Sequence, residues 1–512
     1  MLSRVLSAAV YGVDGYIVTV ETDITHGLSA FNIVGLPDAA VKESQHRVHA
    51  AIKNSGFTFP NRKITVNLAP ADVKKEGAAF DLPMAVGILA AGGTIQPGAL
   101  RDLAFLGELS LDGSVRPIKG AVSMAVAAKL AGLRGLLVPT QNATEAGMVE
   151  GLEVYAVTSL IEAANFVNGL AVIEPTRTDV ATLFARAAQP VDLSEVHGHE
   201  HAKRALEIAA AGGHNALMIG PPGSGKTMLA RRLPTILPPM TLAEALEATR
   251  IHSVVGALSP DRPLVANRPF RSPHHNISES GAVGGGTVPR PGEASLAHNG
   301  VLFLDELPEF RRDVLESLRQ PVEDGEVTIG RARSTFTFPA RFMLVCAMNP
   351  CPCGFAGDPR HACACSPQKI RNYRSKISGP LLDRIDIHIE VPALKYDDIS
   401  TKRAGESSNA VAERVARARR TQLARFAATG SRHPVYCNAQ MGPQLIRKFC
   451  PVSTQSDEIL RAAIDRLGLS ARAYHRVLKV ARTIADLEDK ESIQPSHITE
   501  AVQYRTLDRT AW

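Results

Sequence analysis

Aromatic residues are scarce in this chain: Phe, Tyr and Trp make up 5% of 512 residues, with a single Trp. Few side chains are therefore available to stack on splayed bases, so a nucleic-acid partner would be held chiefly through its phosphate backbone. Long apolar runs are missing as well. The longest, such as Ala85–Ile95, fall well short of the roughly 20 residues that a spanning helix needs. The short apolar start of the chain is cut by Asp14 before a signal-peptide core is complete. Seven cysteines, an odd number, do not make a secreted disulfide framework. No internal repeat is visible. Together these absences predict a soluble, cytoplasmic protein with no membrane partner.

What is present is ample apolar material: 45% hydrophobic residues, which excludes a disordered or fibrous chain. The length suggests about three domains. The net charge of +6 becomes informative when it is split by position. Residues 1–170 carry 13 basic and 15 acidic side chains, residues 171–400 carry 25 of each, and residues 401–512 carry 19 and 11. The excess of +8 in the last segment suggests a polyanion partner such as DNA.

Residues 1–170 alternate strand-like segments (Tyr16–Thr22, Ile64–Leu68, Leu136–Val138) with helical ones (Asp38–Ser55, Val122–Leu133), a compact α/β domain. Residues 171–190 look like a linker. From Val191 the order helix, buried strand, glycine loop, helix announces a doubly wound nucleotide-binding domain over 191–400. The Gly/Pro/His-rich stretch 266–300 is too long for an ordinary connection. Residues 401–512 read as a mostly helical domain.

The strongest motif is Gly220-Pro221-Pro222-Gly223-Ser224-Gly225-Lys226-Thr227, which follows the apolar strand Ala216–Ile219. This is a P-loop in its required strand–loop–helix context. Its glycines let backbone N–H groups turn inward around phosphates, Lys226 is placed for the β/γ-phosphates of ATP, and the Thr227 hydroxyl for Mg²⁺. A second strand, Val301–Leu304, runs into Asp305-Glu306; the first carboxylate would order the metal and the second would polarise the attacking water. A third strand, Phe342–Ala347, ends at Asn349, which either orients that water or simply turns the chain before Pro350. Arg384 either reaches the ATP of a neighbouring subunit or joins a surface charge cluster with Asp383 and Asp386. Cys351-Pro352-Cys353 and Cys363-Ala364-Cys365 place four thiolates on a turn-rich loop, a set suited to tetrahedral Zn²⁺, with reduced thiols or a redox pair as the alternatives.

The run Arg268-Pro269-Phe270-Arg271-Ser272-Pro273-His274-His275, then Pro291-Gly292-Glu293, Ser295-Leu296-Ala297-His298 and the strand at 302–307, resembles the magnesium-chelatase-like AAA+ ATPases, and within them the bacterial ComM/YifB group. The resemblance extends over nearly the whole chain. It implies a Lon-protease-like N-terminal α/β domain, an AAA+ P-loop core and a C-terminal helical lid. It also implies a homo-oligomeric ring, a hexamer, with ATP held between subunits. Asn349 then corresponds to sensor 1, Arg384 to the arginine finger acting in trans, and Arg472 to sensor 2. Members of the group are associated with branch migration of single-stranded or branched DNA during natural transformation. Residues 266–300 would be the helix-2 insert and 326–341 a hairpin, both facing the ring channel. Arg268, Arg271, Arg331 and Arg333 are the candidate DNA contacts there. Where Lon-type proteases carry their nucleophilic serine this chain has Ala79, and where they carry the lysine it has Val122, so the dyad chemistry is missing. A shifted pair, Lys119 and Ser123, is the remaining protease possibility. The other rival is a protein-remodelling or chelatase-type motor.

Overall fold

The computed structural model describes residues 1–185, 191–286, 289–331, 334–358, 360–394, 405–427, 435–467 and 470–505. The chain divides into two units, Met1–Arg186 with Ala245–Ala266, and Ala187–Glu244 with Asn267–Trp512.

The first unit is built on strands β1 (Leu2–Tyr11), β2 (Asp14–Thr25), β3 (Ala30–Val34), β4 (Lys63–Ala69), β5 (Leu103–Phe105), β8 (Gly135–Pro139) and β9 (Glu153–Val157), with a small hairpin of β6 (Glu108–Leu109) and β7 (Val115–Arg116). The seven long-range strands form one mixed sheet in the order β3-β4-β2-β1-β5-β8-β9. The helix Ala39–Asn54 begins where the Asp38 side chain accepts from the Val41 amide at 2.7 Å, which satisfies one of the free N-terminal donors. The helix Asp81–Ala91 is buried at every position. Its first residue, Asp81, is a carboxylate in the core, and it accepts from Arg47 Nε at 2.7 Å and from the Leu109 amide at 3.2 Å. Burial raises the Asp81 pKa in spite of Arg47. Removing the partner therefore leaves an uncompensated buried charge, and Arg47→Ala should cost about 3–5 kcal/mol of stability, read from denaturant unfolding of the full chain.

The second unit contains a five-stranded, all-parallel sheet in the order β11 (Phe270–Arg271), β14 (Val301–Leu304), β17 (Met343–Met348), β10 (Ala216–Ile219), β18 (Ile387–Glu390). Two hairpins flank it, β12 (Gly284–Gly285) with β13 (Arg290–Pro291), and β15 (Glu326–Arg331) with β16 (Ser334–Pro339). The apolar strands are buried on both faces, as a parallel sheet covered by helices requires. Helices Ser408–Ala427, Pro443–Phe449, Thr454–Leu467, Ala471–Leu487 and Pro495–Gln503 form the C-terminal region. Among the described residues, no helix is long and apolar enough to cross a membrane.

Three features add to the sequence-based division. Residues 245–266, expected in the nucleotide-binding domain, group with the N-terminal unit, where Ser253 Oγ donates to the buried Glu145 at 3.0 Å. The stretch 171–190 is not wholly irregular, since Val180–Ala185 is helical. The segments 191–400 and 401–512 share one core, in which Val411, Val415 and Ile484 pack among Leu206, Leu229 and Val345. Buried polar side chains reinforce that join: His214 contacts Asp386 Oδ2 at 3.0 Å and Thr483 Oγ1 at 2.8 Å. Burial alone would raise the Asp386 pKa, but His214, Arg476 and Lys479 hold it below the usual carboxylate value.

Candidate functional site

Parallel pairing brings the carboxyl ends of the central strands together, the place where open α/β sheets bind ligands. The register pairs Ile219 with Met348 and Leu304 with Cys346. Gly220, Asp305 and Asn349 thus leave the sheet along the same edge. The loop after β10 depends on its glycines: Gly223 and Gly225 have φ of +73° and +85°. Gly220 is required for a different reason, because a Cβ there would meet the Val391 carbonyl oxygen at 2.0 Å.

Lys226 opens the helix Lys226–Ile236, and its Nζ donates to Gly220 O at 2.7 Å, Pro221 O at 2.9 Å and Asn349 Oδ1 at 3.2 Å. Burial lowers its pKa, and the charges of Asp305 and Glu306 oppose that shift. Thr227 Oγ1 donates to Asp305 Oδ2 at 2.6 Å. A hydroxyl and a carboxylate so placed are the donor set for Mg²⁺ beside a P-loop, and the open glycine cradle fits a polyphosphate. Lys226, Thr227, Asp305 and Asn349, chosen from three separate segments of sequence, therefore meet in one place.

Glu306 adopts a left-handed backbone with φ of 55°, a conformation that costs a non-glycine residue about 1–3 kcal/mol and tends to occur at functional sites. Its Oε2 lies 3.4 Å from His275 Nδ1. The His274 and His275 rings pack together with centroids 4.1 Å apart. In the sequence His275 stands out only within the 268–275 run, where the adjacent pair His274-His275 is the available signal for a polar contact to the acidic pair.

Arg384 and Arg472 lie apart from the lysine. Arg384 donates to Pro380 O at 2.7 Å and pairs with Glu323, in a cleft that Glu316, Arg319 and Gln320 also line. Arg472 is largely exposed and donates to Asp383 Oδ2 at 3.3 Å.

The four expected DNA contacts stand in different surroundings. The Arg268 side chain is 12% exposed and donates to Pro238 O at 2.6 Å, to Asn299 O at 2.7 Å and to Glu244 at 3.2 Å. Arg271 forms a two-point pair with Glu293, at 2.6 and 2.7 Å, which engages the Nε and one terminal nitrogen of its guanidinium. Both arginines are thus tied by hydrogen bonds within their own chain. Arg331 ends β15, opposite Ser334 in the hairpin register. Arg333 lies outside the described residues.

The four cysteines 351, 353, 363 and 365 converge, with all Sγ atoms within 4.8 Å of one another. In the first unit, Val122 is fully buried and Ser123 Oγ donates to Val13 O at 2.6 Å in the interior. The shifted Lys119/Ser123 pair therefore has no free hydroxyl to offer as a nucleophile.

Three family models match successive parts of the chain. Residues 192–399 match the magnesium chelatase subunit ChlI, residues 20–142 match a second ChlI model, and residues 405–505 match the ChlI C-terminal model. The competence protein ComM of Haemophilus influenzae is 45% identical, with 99% of this chain and 98% of that protein covered. The uncharacterised protein YifB of Escherichia coli is also 45% identical at the same coverage. Lon protease 2 of Syntrophobacter fumaroxidans is 28% identical over 25% of this chain and 17% of its own length. With full-length relatives at this identity and a complete P-loop constellation on a parallel sheet, the chain belongs to the ComM/YifB group of magnesium-chelatase-like AAA+ ATPases.

Proposed function

We propose that this protein is an ATP-driven ring motor, a hexamer, that moves along DNA in the cytoplasm and drives branch migration during natural transformation or recombination. The observation that carries the reading is the meeting of Lys226, Thr227, Asp305 and Asn349 in a chain 45% identical to a competence protein over its full length. Lys226 would hold the β/γ-phosphates of ATP, Thr227 and Asp305 the Mg²⁺, and Glu306 would take the proton of the attacking water, with Arg384 supplied by the next subunit and Arg472 acting as sensor 2. The four thiolates would hold one structural zinc ion.

With Arg268 and Arg271 engaged internally, Arg331, which ends β15, and Arg333, two residues later in the sequence, are left as the phosphate contacts. Each lost phosphate contact should lower the slope of log affinity against log salt by about 1. The Arg331→Ala/Arg333→Ala chain should therefore keep its basal ATPase and lose roughly 2 from that slope.

A three-strand branch-migration assay with ATP tests the function. Strand exchange is expected from the wild-type chain and none from Lys226→Ala. Absence of both DNA-stimulated ATPase and strand displacement in the wild type would overturn the DNA motor in favour of a protein-remodelling one.

A further inference from the structure

The segment that carries the cysteines has almost no core of its own. Among the described residues of 351–366, Cys351 and Gly354 are buried and the rest are exposed or partly so. Hydrophobic packing cannot hold such a segment in one shape, and a cross-link must. Its thiols are free. Their sulfurs lie 3.3 Å (Cys351 to Cys353) and 3.6 Å (each of these to Cys363) apart, close to the ~3.8 Å edge of a tetrahedron with zinc–sulfur bonds of about 2.3 Å. Backbone amides already point at two of them: Ala356 N donates to Cys351 Sγ at 3.3 Å and Cys365 N to Cys363 Sγ at 3.4 Å. Amide donors of this kind stabilise thiolates and orient metal ligands.

The same segment is tied into the nucleotide site at both ends. Asn349, two residues before Cys351, accepts from Lys226 Nζ. The helix Pro367–Arg374 begins just after Cys365, and Arg374 returns to donate to Pro350 O at 3.2 and 3.0 Å. In the middle, Gly354 sits directly on the phosphate-binding loop. Its φ is +89°, and a Cβ there would come within 2.4 Å of Pro222 Cδ and 2.6 Å of Cγ.

From this geometry we infer that the four-cysteine site takes a zinc-class divalent ion and works as a clamp, pressing the Gly354 turn onto Pro222 so that ion occupancy sets nucleotide affinity. The inference rests on the zinc reading above and adds its consequence for ATP. With the ion bound, the turn has one shape and braces the P-loop from outside. Without it, the turn loses its cross-link, and the loop must be ordered by the nucleotide itself, which lowers affinity.

The test uses the full chain purified without a histidine tag, with metal analysis and equilibrium binding of a fluorescent ATP analogue. About one zinc per chain is expected in the wild type. Stripping it with a chelator should weaken nucleotide binding about tenfold, and added zinc should restore it. Cys363→Ser/Cys365→Ser should lose zinc and show the same weakening. Gly354→Ala should keep zinc yet also bind about tenfold more weakly, because it moves the contact without touching a thiol. Equal affinity of zinc-loaded and zinc-stripped chain would overturn the clamp and leave the zinc reading standing. A wild type without zinc would overturn both. Neither result bears on the strand-exchange assay, so the motor reading fails or stands separately.

Discussion

Glu306→Gln should bind ATP as tightly as the wild type and turn it over about 10²–10⁴ times more slowly. Glutamine keeps the side chain's size and its polar contact, so the loop and the His275 neighbour are undisturbed; what it loses is the ability to take a proton from water. Glu306 leaves β14 directly after Asp305, which shares a 2.6 Å hydrogen bond with Thr227, so the base would sit beside the metal and phosphates and not at a distance. The left-handed φ of 55° is the backbone's part in this aim. Nucleotide binding followed by fluorescence, with phosphate release followed in parallel, separates the two steps. Full turnover by the glutamine variant would remove Glu306 from the mechanism, and lost binding would make its role structural.

Arg384→Ala should be as severe, with a loss of about 10³–10⁵ in turnover, the range found for arginine fingers. The structure does not bring Arg384 to the P-loop of its own chain; its guanidinium pairs with Glu323 and Pro380 O, while Lys226 contacts Gly220, Pro221 and Asn349. A finger acting in trans makes a distinctive prediction. Mixing the two dead variants, Arg384→Ala and Glu306→Gln, should restore part of the ATPase. A site formed by the intact Glu306 of one subunit and the intact Arg384 of the other is complete. If Arg384 acted within its own subunit, every site in the mixture would stay defective and no activity would return. Steady-state ATPase of mixtures at several ratios decides between these outcomes.

Local chemistry explains why so much of the ATP site was legible beforehand. A P-loop needs glycine where φ is positive and lysine at the helix start, and these demands leave a contiguous mark in residues 220–227. Asp305 and Asn349 were readable because each directly follows a short apolar strand. The domain limits were less readable. Residues 245–266 carry no compositional mark that they group with the N-terminal unit, because the helix Leu242–Val255 buries small and apolar residues such as Ala248 and Ile251 that would suit either core.

Charge misled most. The excess of +8 in residues 401–512 suggested a DNA-binding surface, yet several of those cations are spent internally. Arg425 and Arg482 pair with the buried Asp486, and Arg414 pairs with Glu207 and Glu406. Arg268 and Arg271 repeat the lesson in the insert. A sequence records that a guanidinium exists but not whether a carbonyl or carboxylate from a distant segment already occupies it.

By itself, then, the sequence determined the chemistry of nucleotide binding, the missing protease dyad and the presence of four clustered thiols, because each depends on residue types at short spacing. Tertiary structure alone decided which arginines are already engaged, which unit claims residues 245–266, and that Gly354 rests on Pro222. Those depend on contacts between segments far apart in the chain, and close packing, unlike a motif, leaves no periodic trace in the sequence.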